Sequence, residues 1–460
     1  MTTKKNLVKI MLMSIATAVC VTFGACSNED DPVAAARETA AEIPANVPGD
    51  AKTVLIYLAG GNDLAGVLKQ NLKDCKEGSK RLRDNENLIV FARFRNEGES
   101  WVARLKNGEV TDSVSLKDLG IFSSDGENRA CDPGVMEGVM SYAFKKYPAK
   151  DGNYGIVFGS HGSGWLKKKE VHQRMGSRAI CVDYGDNNMS DYNARWINIP
   201  TLAGILRNQP HLKFIMTDCC NMMCLENLYE LRTTCDYLIG SPAEIPGKGA
   251  PYDQIVPDMF KDGDFYKTII DKYETSVKGT LPLVAVKTSE MENVAQATRT
   301  ALTAVKEKIG NGYADMTGII HYFQLDETKD KFFPEYNAFF DAGDFMRTYA
   351  PTDVYQQWRQ ALDKAVIERR MTTKWLTYLS WDVKYSDFKV TEEKFHGVSM
   401  YVPQDPSKGY YSQFNEDIKF FEWYKTAGLS VLYNYKLPKR GVFFAIYLGC
   451  WRFFLIFATY

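Results

Sequence analysis

Lys213-Phe214-Ile215-Met216-Thr217-Asp218-Cys219-Cys220-Asn221-Met222-Met223-Cys224-Leu225-Glu226-Asn227-Leu228-Tyr229-Glu230-Leu231 changes character in its middle. Residues 214–216 are a short apolar run suited to a buried strand, whereas Met222, Leu225, Leu228, Tyr229 and Leu231 are apolar at helical spacing. Asp218, Cys219, Cys220 and Asn221 therefore fall at an expected strand-to-helix junction. There, exposed backbone N–H groups and the positive end of the helix dipole lower a thiol's pKa and favour the nucleophilic thiolate. Small, partly apolar cysteines also simply pack where a strand meets a helix. A second stretch is needed to decide.

That stretch lies upstream. Residues 154–158 form another expected core strand, and it runs into Gly159-Ser160-His161-Gly162-Ser163-Gly164-Trp165. A histidine flanked by glycines at the C-terminal end of a parallel strand sits where α/β proteins place ligands, and small neighbours let a substrate backbone approach. A structural histidine in a turn is the competing reading. The other four histidines are less promising: His172 and His211 lie in polar loops, His321 in a helix or at its edge, and His396 at the start of an expected strand over 396–402.

The flanking pattern is that of an α/β fold. Residues 52–58 read as a continuous apolar strand of a parallel sheet, followed by the turn Gly60-Gly61-Asn62-Asp63 and a helix to about Arg83. No Lys-Ser/Thr follows the glycine pair, which argues against a phosphate loop. Short strands are expected over 87–94, 101–105 and 113–116 as a meander, and a helix over 133–147 with Asp132 as cap and Pro133 in its first turn. The basic stretch 167–178, with Lys167, Lys168, Lys169, Arg174 and Arg178, reads as an exposed loop. The sheet is expected to resume over 179–184, before a polar loop (Asp186, Asn187, Asn188, Asp191, Asn193) that lacks a known calcium-binding spacing.

Further expected elements are a helix over 199–207, strands over 237–241 and 281–286, and a helix over 290–309. Between them, the Pro- and Gly-rich loop 242–252 is placed to form a substrate wall. Residues 312–375 read as mostly helical, 377–381 and 397–401 as strands, and 413–426 as a last helix, with no internal repeat. The division expected is a leader over 1–25, a tether over 26–50, a core over 51–290, a helical and mixed region over 291–436 and a hydrophobic tail over 437–460. The tail has no assigned role.

Composition narrows the class. The chain has 460 residues, 45% hydrophobic and 25% charged, as in globular proteins, and its net charge of -1 provides no overall field for nucleic acid. Lys4, Lys5 and Lys9 precede an apolar segment over 10–23 and the small pair Gly24-Ala25, which is the layout of a secretory signal too short for a confident membrane span. Small residues directly before Cys26 resemble the lipobox of bacterial lipoproteins, although Phe23 stands where leucine is usual. That resemblance implies a lipidated Cys26 and a cell-envelope location, with secretion if Cys26 is not lipidated. The acidic Ser27-Asn28-Glu29-Asp30-Asp31 resembles the export signal of surface lipoproteins in Bacteroides-like bacteria. Outside the leader and tail, Cys75, Cys131, Cys181, Cys219, Cys220, Cys224 and Cys235 form no CxxC pair and no zinc spacing, and an odd number leaves at least one thiol free.

Two strand ends each offer half of a nucleophilic pair. In a parallel sheet, strand ends of one polarity share an edge, so His161 can meet Cys219 or Cys220 although they lie about sixty positions apart. The histidine would take the thiol's proton and later protonate a leaving amine, with the Gly162 N–H or the cysteine's own N–H as oxyanion donor. Together, the block His161-Gly162-Ser163-Gly164-Trp165 and the block Asp218, Cys220, Met222, Glu226, Tyr229-Glu230-Leu231 resemble the two catalytic blocks of the clostripain family of caspase-like cysteine peptidases. His396-Gly397-Val398-Ser399-Met400-Tyr401-Val402-Pro403 is similar to a further block, and the resemblance spans about residues 52–426.

The resemblance implies a caspase-like α/β/α sandwich with a mostly parallel sheet, and an endopeptidase cutting protein or peptide substrates after Arg or Lys. It implies His161 as general base and acid, Cys220 as nucleophile, and Asp218 as the carboxylate facing the basic side chain. A carboxylate at a pocket base would pair with a guanidinium, while the same residue also suits a helix N-cap. Many members cut themselves between the blocks, which makes 167–178 a candidate cleavage loop. The chemistry needs no cofactor, no metal ligand is assigned, and calcium, used by some relatives, is left open. Cys219, Asn221 and Met223 depart from the usual pattern, and alternation along a strand lets only one of the two adjacent thiols face the histidine. A non-catalytic surface-binding lipoprotein and a thiol transpeptidase or acyltransferase are the alternatives from other classes.

Overall fold

Lys52–Gly60 (β1) is buried along its whole length. Its side chains divide between two hydrophobic clusters: Leu55, Tyr57 and Ala59 belong to one, Val54, Ile56 and Leu58 to the other. A strand that is apolar on both faces has to be covered on both sides, and that requirement dictates the layers. The computed structural model describes residues 47 and 49–433, apart from 151, 168–178, 187–193, 323–336, 380–381 and 388–389.

After β1 the strands are β2 (Glu86–Phe94), β3 (Trp101–Lys106), β4 (Glu109–Ser115), β5 (Tyr154–Gly159), β6 (Ile180–Asp183), β7 (Arg195–Ile197), β8 (Leu212–Asp218), β9 (Cys235–Gly240), β10 (Leu283–Lys287), β11 (Phe340–Asp341), β12 (Val366–Arg370), β13 (Lys374–Leu379), β14 (Asp382–Asp387) and β15 (Ser399–Met400). Nine of them form one sheet in the order β12-β10-β9-β8-β5-β1-β2-β3-β4. From β9 to β2 neighbours are parallel, and the strands added at either end are antiparallel. Helices Pro133–Lys146, Ile199–Arg207, Met291–Ile309 and Thr352–Ala365 contribute to the cluster on one face, and Ala65–Ser79 and Phe265–Ser276 to that on the other. The result is the expected α/β/α sandwich with a mostly parallel sheet.

Local chemistry agrees with the sequence at several ends. Asp132 caps the helix Pro133–Lys146 by accepting hydrogen bonds from the Gly134 and Val135 N–H groups. The helix Ile199–Arg207 has the expected bounds. Other expectations are corrected. Strand β6 pairs with β7 in a separate two-stranded ribbon and does not rejoin the main sheet. Residues 366–370, read as helical, are an edge strand, because β10 leaves an open edge that β12 fills. The last helix is broken into Tyr411–Asp417 and Glu422–Thr426, with a 3₁₀ turn between them.

The region after residue 290 is continuous with the core. The cluster containing Leu55 also contains Trp358, Tyr401 and Leu432. Ser399 N–H donates to the Met223 carbonyl at 3.0 Å, and the Tyr401 N–H donates to Glu226 Oε1 at 2.7 Å. Trp165, just past β5, lies against Tyr401 with ring centroids 4.8 Å apart. Further out, Asp341 accepts hydrogen bonds from Tyr322 Oη at 2.6 Å and the His396 N–H at 2.9 Å, and its other oxygen lies 3.1 Å from His396 Nδ1.

Two buried carboxylates on the helix Leu225–Glu230 join it to these later segments: Glu226 accepts from Tyr401 N–H, and Glu230 from Glu422 N–H. Burial raises both to about 7 from the ordinary 4.5. The folded state therefore holds their protons more tightly than the unfolded chain does, so their contribution is fully present below about 4.5 and is lost as pH rises through about 7. The melting temperature should thus carry a downward component between pH 5 and 8, and Glu226→Gln should flatten it in scanning calorimetry. An unchanged slope would contradict this assignment.

Candidate active site

Strands β5 and β8 run parallel in register, with Gly159 opposite Asp218 at their C-terminal ends. One and two residues further on, Ser160 and His161 leave one strand as Cys219 and Cys220 leave the other. The gap between these segments is small enough to exclude a side chain. A Cβ added to Gly162 would lie 2.9 Å from both the Cys219 Cβ and the Cys220 carbonyl oxygen.

Outside the sheet, β6 pins this corner. Cys181 N–H donates to the His161 carbonyl at 3.2 Å and Ser163 N–H to the Ala179 carbonyl at 3.1 Å, flanking an antiparallel bridge between Gly162 and Ile180. In that pattern the N–H of Gly162 points away from β6 and remains outside the bridge's hydrogen bonds.

The two thiols face opposite ways. Cys219 is buried and its Sγ donates to the Phe158 carbonyl at 3.4 Å, inside the cluster beneath the sheet edge. Cys220 is partly exposed, and its Sγ accepts the Ile245 N–H at 3.3 Å. Among the described residues the other six cysteines are buried. Desolvation, followed by the nearby Glu244 carboxylate, pushes the Cys220 thiol up to about 12. In this conformation burial favours the neutral thiol over the thiolate.

The strand does not pass directly into a helix here. The helix begins at Leu225, three residues later than its apolar spacing suggests, so the helix dipole does not lower the thiol. Asn221 takes a left-handed conformation with φ of 59°, and the turn is stitched to the loop after β9. Asn221 N–H donates to the Ala243 carbonyl at 3.0 Å, its Nδ2 to the Pro242 carbonyl at 3.0 Å, and Met223 N–H to the Ser241 carbonyl at 3.1 Å. Asparagine tolerates this backbone better than most residues, which accounts for its presence. Loop 242–252 lies beside Cys220, with the Ile245 N–H on its sulfur.

Asp218 is buried against the far end of that loop. Its carboxylate accepts from Ala250 N–H at 3.0 Å, Tyr252 Oη at 3.0 Å and Tyr273 Oη at 2.7 Å, and burial raises its pKa. It caps no helix. Gly249 has φ of 68°, and a Cβ there would lie 2.7 Å from the Asp218 carboxylate, so glycine permits the close approach.

His161 is partly exposed, and its Nε2 lies 2.7 Å from Asp63 Oδ1. Among the described residues the remaining histidines have other partners. His211 pairs with Asp236 at 3.0 Å, and His396 is enclosed by Asp341, Tyr355 and Arg359. His321 bridges to Phe340 and, contrary to expectation, lies neither in a helix nor at the edge of one, and burial lowers it to about 4. His172, the polar loop beyond Asp186, most of the basic stretch, Cys26 and the hydrophobic tail lie outside the described residues. Among the described residues no group of three or more His, Cys, Asp or Glu side chains is arranged to hold a metal ion, and no helix is long and apolar enough to cross a membrane.

The clostripain family model matches residues 56–430. The chain belongs to the clostripain family. Among solved structures it resembles a secreted C11 cysteine protease from Bacteroides thetaiotaomicron in complex with an irreversible peptide inhibitor, at 28% identity and TM-score 0.65, covering 82% of this chain and 98% of that one. It also resembles an inactive zymogen C11 protease from Parabacteroides distasonis, at 28% identity and TM-score 0.66, over 83% and 99% of the two chains. No curated protein gives a significant match. The protein is thus a clostripain-family cysteine peptidase with a caspase-like fold, acting on proteins or peptides.

Two contacts at the site carry no signal in the sequence: the Ile245 N–H, which meets the Cys220 sulfur, and Asp63, which meets His161. Both sit in loops, where no periodicity marks a position. For this clostripain-family peptidase, Gly162→Ala should separate the two strand ends while leaving the sheet intact. A displacement of about 1 Å costs about 10²-fold in kcat/KM. Peptide hydrolysis at wild-type rate by a folded Gly162→Ala variant would contradict the close packing.

Proposed function

We propose that this clostripain-family peptidase is an endopeptidase that cleaves after Arg or Lys, with Cys220 as nucleophile and His161 as its base and acid. The observation that carries the proposal is the pairing of β5 with β8, which ends the two strands beside each other while turning Cys219 inward and leaving Cys220 partly open. His161 takes the proton from the Cys220 thiol as sulfur attacks the carbonyl carbon of the scissile bond. The oxyanion that forms is met by the Gly162 N–H, supported by that group's freedom from the β6 bridge. Imidazolium then protonates the leaving amine, and water hydrolyses the thioester with His161 again as base.

Asp218 supplies the preference for a basic side chain. Support comes from its place two residues before Cys220 and from the three internal donors that keep the carboxylate in one orientation. A carboxylate at this place is suited to a guanidinium or ammonium group, whose positive charge would favour its ionised form.

The resting sulfur is held as a thiol by burial and by Glu244. A chain in this state fits a precursor, in line with the likeness to a zymogen from Parabacteroides distasonis. Cleavage in the basic stretch 167–178, immediately after the His161 block, would convert it. The leader preceding Cys26 supports an envelope location through lipidation, or secretion without it. In a bacterial host, an alkyne fatty acid should label the wild type and not a Cys26→Ser variant; equal labelling of both would remove that part of the proposal.

Fluorogenic peptides ending in Arg, Lys or Ala test the chemistry. Cys220→Ala should lose about 10⁴-fold or more in kcat/KM. Cys219→Ala should retain turnover, and Asp218→Asn should lose about 10- to 100-fold of the preference for Arg and Lys. Purified wild type should run as two fragments and Cys220→Ala as one. Loss of turnover only in Cys219→Ala would transfer the nucleophile to the neighbouring residue, and a wild-type chain that stays whole under assay conditions would exclude self-cleavage.

A further inference from the structure

His161 reaches its neighbours through one ring nitrogen that is already engaged: Nε2 lies 2.7 Å from Asp63 Oδ1. Two features set this contact apart from an ordinary surface ion pair. The first is that the loop carrying Asp63 is fixed by the residue before it. Asn62 is fully buried, and its Nδ2 donates to the Ala59 carbonyl at 3.0 Å, to Ser160 Oγ at 3.4 Å and to the Val182 carbonyl at 2.7 Å. Its Oδ1 accepts the Leu64 N–H at 2.8 Å, so Asp63 is held from both sides. One side chain thus ties the loop to the end of β1, to the residue before His161, and to β6, which pins the His161 backbone.

The second feature is the absence of slack beneath the loop. A Cβ on Gly61 would lie 2.2 Å from Asp183 Oδ1, and the buried Asp183 accepts the Ala130 N–H at 2.9 Å while lying 3.6 Å from Arg93 Nε. Side-chain exposure is 24% for His161 and 57% for Asp63, so the contact is at the rim of the site with one partner open to solvent. A surface pair of this kind adds little stability, which leaves orientation as its effect.

We infer that Asp63 is a positioning residue for the catalytic histidine: by accepting a hydrogen bond from Nε2–H of His161 it fixes the ring and leaves Nδ1 as the nitrogen that exchanges a proton with Cys220. The inference rests on the His161–Cys220 reading. In the neutral ring the single proton sits on Nε2 and is donated to Asp63. When the sulfur forms its bond to the carbonyl carbon, the thiol proton moves to Nδ1, and the imidazolium keeps its Nε2–H on Asp63. Breaking the carbon–nitrogen bond then returns the Nδ1 proton to the leaving amine, so no proton is gained or lost over acylation. Asp63 remains a carboxylate throughout.

The test compares wild type with Asp63→Ala, His161→Ala and Cys220→Ala on an Arg-terminated fluorogenic peptide, with melting temperature recorded for each. Asp63→Ala should lower kcat by about 10- to 100-fold, part of the ~10²–10⁴ that positioned proton transfer contributes. KM should stay within about threefold and the melting temperature should move little, since the contact to His161 lies at the rim of the site. Added formate should restore part of kcat in Asp63→Ala, because the position is open to solvent, and should leave His161→Ala inactive; a merely structural role gives no such rescue. Wild-type kcat in Asp63→Ala, with His161→Ala and Cys220→Ala inactive, would overturn the role of Asp63 alone. Full activity in His161→Ala or Cys220→Ala would instead remove the pair on which it rests.

Discussion

The parallel hydrogen-bonded pairing of β5 with β8 is the constraint on which everything else in this protein depends. It places His161 and Cys220, about sixty positions apart in the chain, just past adjacent strand ends on one sheet edge. Because strand residues alternate between faces, the same pairing decides which of two adjacent thiols is open and which joins the core. The absence of a side chain at Gly162 lets the two strand ends remain in contact beyond the last ladder bond.

Loops complete what the sheet begins, and each is fastened by buried polar groups. Asn221 and the backbone of Met223 hold the turn after β8 to loop 241–245, and the Asp218 carboxylate holds residues 250 and 252 to Tyr273. Asn62 performs the same task for the loop after β1. A buried polar group costs stability unless it is paired, and pairing fixes its partners in space.

Much of this was legible in the sequence because the central strands are hydrophobic on both faces and so stand out as runs. Residues 52–58, 154–158 and 214–216 announced the layers, and the small residues around His161 and the paired cysteines marked the strand ends. Elements decided by tertiary pairing are not legible in this way. Val366–Arg370 carries two arginines and a glutamate, which hide a strand whose position is set by the free edge of β10. The helix after Cys220 begins at Leu225, not Met222, because hydrogen bonds to loop 241–245 win over helical spacing across residues 221–223. Asp63 and Ile245 left no trace, since a single loop residue has no pattern to betray it.

The central claim is that Cys220, and not Cys219, is the sulfur presented to substrate beside His161. Its most direct test is to treat the native protein with an irreversible peptidyl electrophile ending in arginine and to locate the adduct by fragmentation mass spectrometry of the peptide that holds both cysteines. The account predicts one adduct, on Cys220, and its disappearance in His161→Ala. An adduct on Cys219, or labelling of Cys220 that is indifferent to His161, would contradict it.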